Sequence, residues 1–363
     1  MNDDLLTPQW RLSQPARLSP CQWETLLAQA RRCRLLPRLA RLYADREWLK
    51  DVPEGPRRHL TNALLVLQHQ HRETSWEIDR IRSALAAVPT RVVLLKGAAY
   101  VAAGLPPSRG RVFSDIDILV SREQLSCVEA ALLAAGWIPA KLDPYDDRYY
   151  RRWSHELPPL QHVHRQTTLD VHHTIASPTS RYKIDGAQLI ASSKPLNGHP
   201  QLAILSPVDM VLHSVVHLFQ EGDFGGGLRD LLDIDDLLDA FGEDAQFWPS
   251  LLQRSRELDV GIPLHHAMTH LRRLFGRQVP SEWTEELESL GPGALSRRWM
   301  REALSAALRP DHPSCDSSYT RWARWCLYVR SHYLRMPWYQ IAPHLLRKAW
   351  MRSFASRWAE SGT

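Results

Sequence analysis

These 363 residues contain no C-x-x-C pair, no long uninterrupted apolar run, no internal repeat and no low-complexity tract. Cys21, Cys33, Cys127, Cys315 and Cys326 are scattered, which argues against a cysteine-built zinc or redox centre and for free thiols in a reducing compartment. Without an apolar stretch of spanning length a transmembrane helix is not expected, and without a repeat a solenoid is excluded. The acidic start, Met1-Asn2-Asp3-Asp4, has no apolar core behind it, so no secretory signal is expected and a cytoplasmic location is. Acid is scarce at the other end. Beyond Leu295, twelve bases from Arg297 to Arg357 face only Glu302, Asp311, Asp316 and Glu360. Trp299, Trp322, Trp325, Trp338, Trp350 and Trp358 are interleaved with these bases. The expected arrangement is a helical domain with Trp inside and Arg stems covering apolar surface; the alternative is a surface for anionic membrane or nucleic acid.

What is present reads as globular: 44% hydrophobic and 23% charged residues, with a net charge of +5. Residues 20 to 88 repeat leucines at helical spacing, punctuated by Pro37, Pro53 and Pro56, and predict three helices. Arg91 to Leu95 and Ile116 to Val120 read as strands, and Ser121 as the cap of a helix closed by Gly136. Tyr149 to Trp153, Gln161 to Arg165 and Thr167 to His172 read as further strands, the last two joined by a tight turn. From Pro207 onward the pattern is helical. The expected fold is α+β, a mixed sheet with packed helices. Its division is a helical region at 1–88, a catalytic domain at 89–205, and a basic, Trp-rich helical domain at 206–363.

The chemistry concentrates between Leu95 and Leu119. A strand ends at Lys96-Gly97, a Pro/Ser/Arg/Gly loop follows, and Ser114-Asp115-Ile116-Asp117 opens the next strand. Strand side chains alternate, so Asp115 and Asp117 project from one face. Two such carboxylates repel unless a cation lies between them, and Mg²⁺ shared with substrate phosphates is the usual solution. Backbone N–H groups at the Gly97 turn could hold a triphosphate.

Leu95-Lys96-Gly97, Arg111, Asp115-Ile116-Asp117 and Leu169-Asp170-Val171-His172 follow one another in an order that resembles the bacterial uncharacterised nucleotidyltransferase family. That family lies within the DNA polymerase β-type nucleotidyltransferase superfamily. The resemblance extends over Ser206 to Leu238, with a His-bearing helix and then Arg229-Asp230-Leu231-Leu232-Asp233-Ile234. It implies that Asp115 and Asp117 hold two Mg²⁺ ions against an NTP, with ATP the default donor. It further implies that Asp170 completes the catalytic metal site and helps to deprotonate an acceptor hydroxyl, so that an NMP is moved and pyrophosphate released. One departure stands out: the superfamily has Gly-Ser after its first strand, where this chain has Lys96-Gly97-Ala98.

Lys96, at the end of a strand, and Arg111, four residues before Asp115, are the candidate phosphate-holding cations, with Gly97 beside them. Arg229 follows Gly225-Gly226-Gly227 in the first turn of a helix, where a cation opposes the dipole and calls for an anionic partner, either a phosphate or Asp230/Asp233. Asp143, Asp146 and Asp147 are the fallback for the third carboxylate. The histidines His162, His164, His172, His213 and His217 read as hydrogen-bonded structural groups rather than a dedicated zinc site, and His213-x-x-x-His217 lacks the glutamate of a metallohydrolase motif. The acceptor is open among a small molecule, a protein and RNA. Two other readings remain: a catalytically lapsed nucleotide-binding scaffold, and an accessory protein recruited through its C-terminal region.

Overall fold

The computed structural model describes residues 18–140, 150, 153–220 and 222–335. Helix α1 (Pro20–Arg32) starts where its first-turn N–H groups find partners. Ser19 caps Gln22, and the Gln22 side chain returns to the Ser19 amide, a reciprocal capping box. Helix α2 (Leu36–Asp45) follows, and α3 (Glu54–Ala84) begins directly after Pro53, which cannot continue a helix from within but is well suited to precede one. Trp23, Leu27, Leu39, Tyr43 and Leu60 bury themselves between these helices, together with Leu228 and Leu232 from far along the chain.

The sheet runs in the order β3-β4-β5-β2-β1-β7-β6. Its strands are β1 (Val92–Leu94), β2 (Asp115–Leu119), β3 (Trp137–Pro139), β4 (Leu160–His162), β5 (Thr168–His172), β6 (Lys194–Leu196) and β7 (His199–Ile204). β2 pairs parallel with β5 and β1 parallel with β7, while the other neighbours are antiparallel. The expected β4–β5 hairpin is present, with Gln166 at a positive φ of 61° in its turn. Helix α4 (Lys96–Ala102) follows β1. Ser121, expected to cap the next helix, makes no side-chain cap bond; a 3₁₀ turn at Arg122–Gln124 intervenes before α5 (Leu125–Ala134). Of the expected strand at 149–153, Tyr150 and Trp153 are helical and the remainder lies outside the described residues, as do Asp143, Asp146 and Asp147.

Strand alternation divides the buried residues between two faces. Val92, Leu94, Ile116, Ile118, Leu169 and Val171 pack against Ile78, Ile81 and Leu85 of the α3 region and Val128 and Leu132 of α5. Val93, Leu119 and Ala203 face the other way, onto Met210, Val211, Val215 and Phe219. The latter four belong to α7 (Pro207–Gln220), which follows the short α6 (Gly186–Ser192) and is buried along nearly its whole length. Around it stand α8 (Gly227–Phe241), α9 (Phe247–Glu257), α10 (Gly261–Phe275), α11 (Ser281–Ser289), α12 (Ala294–Ala307) and α13 (Ser318–Arg335).

The C-terminal tryptophans depart from the expected inside position. Trp299, Trp322 and Trp325 are exposed, Trp325 by 62%, and Val329 and Tyr333 continue the same exposed face of α13. Ala323, Leu327 and Leu334 supply the buried side of that helix, so its core contact is made by small and aliphatic residues, and the larger rings face out. Trp338, Trp350 and Trp358, with the bases from Arg347 to Arg357, lie outside the described residues.

Candidate active site

Asp117 and Asp170 are register partners on parallel neighbouring strands, and Asp115 stands opposite Thr168 two residues earlier. Register partners point to the same side of a sheet, as do residues two apart on one strand. Asp115, Asp117 and Asp170 therefore share one face, the face covered by α7. This arrangement comes from residues far apart in the chain, brought together by β2–β5 pairing.

Their environments differ sharply. Asp117 is 7% exposed. Burial by itself would raise its pKa, yet Lys96, His172 and His213 together hold the carboxyl well below the usual range. The Lys96 ammonium lies 3.8 Å from Asp117 Oδ1, and His172 Nε2 meets the same oxygen at 3.0 Å. Asp170 makes no ion pair with a base among the described residues. Burial, Glu156, Asp117 and Asp115 push its pKa up to about 7 against the opposing pull of His172, and its Oδ1 is buried without a hydrogen-bond partner. An orphaned carboxylate oxygen beside two more carboxylates is the donor set a hard dication takes, so the residues fit the expected Mg²⁺.

The expected cations separate. Lys96 lies at the cluster, and its φ of 41° is a left-handed value that a lysine adopts only under constraint. Gly97 follows it, buried; a Cβ there would stand 2.6 Å from the Phe113 ring, so the missing side chain serves close packing against that aromatic. Arg111 departs from the expected loop position over a phosphate. It is buried, with its guanidinium on Asp230 at 3.0 Å and on Asp233, and its charge is held by both carboxylates against the cost of burial. Arg38 of α2 also reaches Asp233 and Asp236. Arg229 takes the second of its two expected partners, Asp230, at 2.7 Å. The Arg-Asp-Leu-x-Asp motif is thus an ion-pair lattice tying α2, the loop before β2 and α8 together.

The histidines also separate. His172 braces Asp117, whereas His162 lies at the far edge of the sheet, against Trp137 and Arg165. His213 of α7 stands near Asp117, and burial, with Lys96 nearby, moves its pKa well below the ordinary histidine value. His155 and Glu156 were not singled out by the sequence reading. Glu156 forms an isolated bridge with His172, and its Oε2 lies 3.4 Å from His172 Nδ1 and 3.8 Å from His155 Nε2. No spacing rule connects 155–156 to 172, because the contact depends on where the segment before β4 crosses β5. At the outer end of β2 a cavity of about 460 Å³ reaches Asp115, lined by Gln70, Glu73, Trp76, Glu77, Phe113 and Arg165 among others.

A mixed sheet carrying three same-face carboxylates, covered by helices, defines a protein of the nucleotidyltransferase type. The sequence model of the uncharacterised nucleotidyltransferase family matches residues 19–276. The chain belongs to that family, and nucleotidyl transfer is the general function its membership supports. No curated protein and no solved structure matches it.

Proposed function

We propose that the protein is a Mg²⁺-dependent transferase that moves an NMP from an NTP, ATP by default, to an acceptor hydroxyl and releases pyrophosphate. The observation that carries this reading is the register of Asp117 against Asp170 with Asp115 on the same face. Asp115, Asp117 and Asp170 would hold the metal, which when bound supplies charge neutralisation for the phosphates. Lys96, held at the cluster by its constrained backbone, adds positive charge beside the same carboxylates. Asp170, poised near neutrality, is suited to accept a proton from an acceptor hydroxyl. His172 orients Asp117, and α7 forms a wall over the site with His213 and His217. The scattered cysteines, none of them in a disulfide, accord with action in the cytoplasm.

Incubation with α-labelled NTPs, Mg²⁺ and a cell extract tests the proposal. Label should move to a small molecule, a protein or RNA, and Asp117→Asn should stop it. A second reading, a nucleotide-binding scaffold without turnover, is favoured by one feature: Ala98 stands where the superfamily has its serine, while Arg111 and Arg229 are engaged with aspartates. Saturable Mg²⁺-NTP binding without any transfer of label would favour that scaffold.

A further inference from the structure

The two nitrogens of His172 meet two different carboxylates. Nε2 lies 3.0 Å from Asp117 Oδ1, and Nδ1 lies 3.4 Å from Glu156 Oε2. With Nε2 turned to Asp117, Nδ1 is left facing the Glu156 carboxylate on the other side of the ring. Nδ1 is indeed buried without a hydrogen-bond partner, in a residue only 4% exposed. His155 approaches the same point: its Nε2 is 3.8 Å from Glu156 Oε2, and one ligand atom from each of His155, Glu156 and His172 lies within 4.8 Å of the other two.

We propose that His155, Glu156 and His172 hold a transition dication of the zinc class immediately behind Asp117. Donors bound at roughly 2.0–2.2 Å in a tetrahedral shell stand roughly 3.3–3.6 Å apart, close to the 3.4 and 3.8 Å separations observed here. Two imidazoles and one carboxylate select a borderline metal over Mg²⁺, which prefers oxygen and retains its waters. The Asp117–His172 contact is the outer-shell arrangement such a site needs, a carboxylate fixing the tautomer and ring orientation of a ligating histidine. Three protein ligands leave a fourth position for water or a substrate oxygen. The site requires no nucleotide, so it can be filled without the transfer reaction, though it shares the Asp117 brace and lies beside Asp170.

Cobalt titration of the metal-stripped full-length protein, without nucleotide, tests this. Co²⁺ should give visible d–d bands that saturate at one equivalent, disappear on adding Zn²⁺ and survive excess Mg²⁺. His155→Ala and Glu156→Gln should each weaken Co²⁺ binding by about tenfold or more, with unchanged circular dichroism of the metal-free protein. Asp115→Asn should leave the cobalt bands intact while removing Mg²⁺-NTP binding, so that each metal reading can fail without the other. Wild-type protein without d–d bands overturns the site. So does displacement of Co²⁺ by Mg²⁺, which would put the ion on the aspartates. Bands that persist in both variants also overturn it, as does a nuclear magnetic resonance titration showing His172 as an imidazolium donating to Glu156 in the presence of Zn²⁺.

Discussion

Asp117 and Asp170 stand opposite each other on adjacent parallel strands, and their surroundings drive their protonation in opposite directions. Asp117 is kept ionised by Lys96 and His172, whereas Asp170 is pushed toward neutrality by burial and by Glu156 and Asp117. Paired carboxylates with separated affinities for a proton are suited to divided roles, one a fixed metal ligand and the other a group that exchanges its proton.

Asp115→Asn and Asp117→Asn should each abolish the Mg²⁺-NTP shift in melting temperature, but their effects on the metal-free protein should differ. The Asp115 side chain is half-buried and makes no hydrogen bond or ion pair among the described residues, so its loss should leave stability within about 0.5 kcal/mol. Asp117 is buried against Lys96 and His172, and its neutralisation should cost about 1–3 kcal/mol. Thermal melts with and without metal and nucleotide give both numbers. A double Asn variant that keeps the full metal-dependent shift would remove these residues from the site.

Asp170 sets a pH dependence of opposite sign to that of a salt-bridged carboxylate. Its folded pKa, about 7, lies above the ordinary aspartate value of 3.8. The folded state therefore binds the proton more tightly, and stability from this group declines as pH rises from about 4 to 7. The loss is on the order of a few kcal/mol. Asp170→Asn should flatten that decline in denaturant titrations of the metal-free protein. In the wild type, Mg²⁺ binding near pH 7 should release a proton, seen as a dependence of calorimetric heat on buffer ionisation. Identical pH slopes in variant and wild type would count against the assignment.

Arg111→Ala should behave as a structural lesion before a catalytic one. It leaves Asp230 and Asp233 buried without their shared cation, and losing one partner of a buried pair costs about 3–5 kcal/mol. A chemical-denaturation midpoint that hardly moves, with NTP affinity sharply reduced, would instead return Arg111 to the phosphate.

Trp322→Ala and Trp325→Ala should change stability by less than about 1 kcal/mol, because both rings are already in solvent. If this face serves recruitment, the double variant should lose binding to anionic vesicles, and tryptophan emission should shift blue when the wild type meets them. A loss of 3 kcal/mol or more per ring, about what burial would imply, would contradict the exposed arrangement.

Local patterns determined much of this protein. Alternation along β2 already placed Asp115 and Asp117 on one face, the β4–β5 hairpin followed from its turn residues, and leucine spacing marked the helices before and after the sheet. The family resemblance added Asp170 and His172. Other features depended on long-range pairing that no local periodicity encodes. The parallel β2–β5 register set Asp170 against Asp117 rather than one step away, since a one-residue slip would have turned it to the opposite face. Arg111 was a loop cation until α8 packed beside it and offered Asp230 and Asp233, because a buried charge takes the nearest anion. His155 and Glu156 gained meaning only where their segment crosses His172. The orientation of α13 belonged to the tertiary structure too. Its helical period allows either face inward, and the neighbouring helices took the side bearing Ala323, Leu327 and Leu334, leaving Trp322 and Trp325 outside.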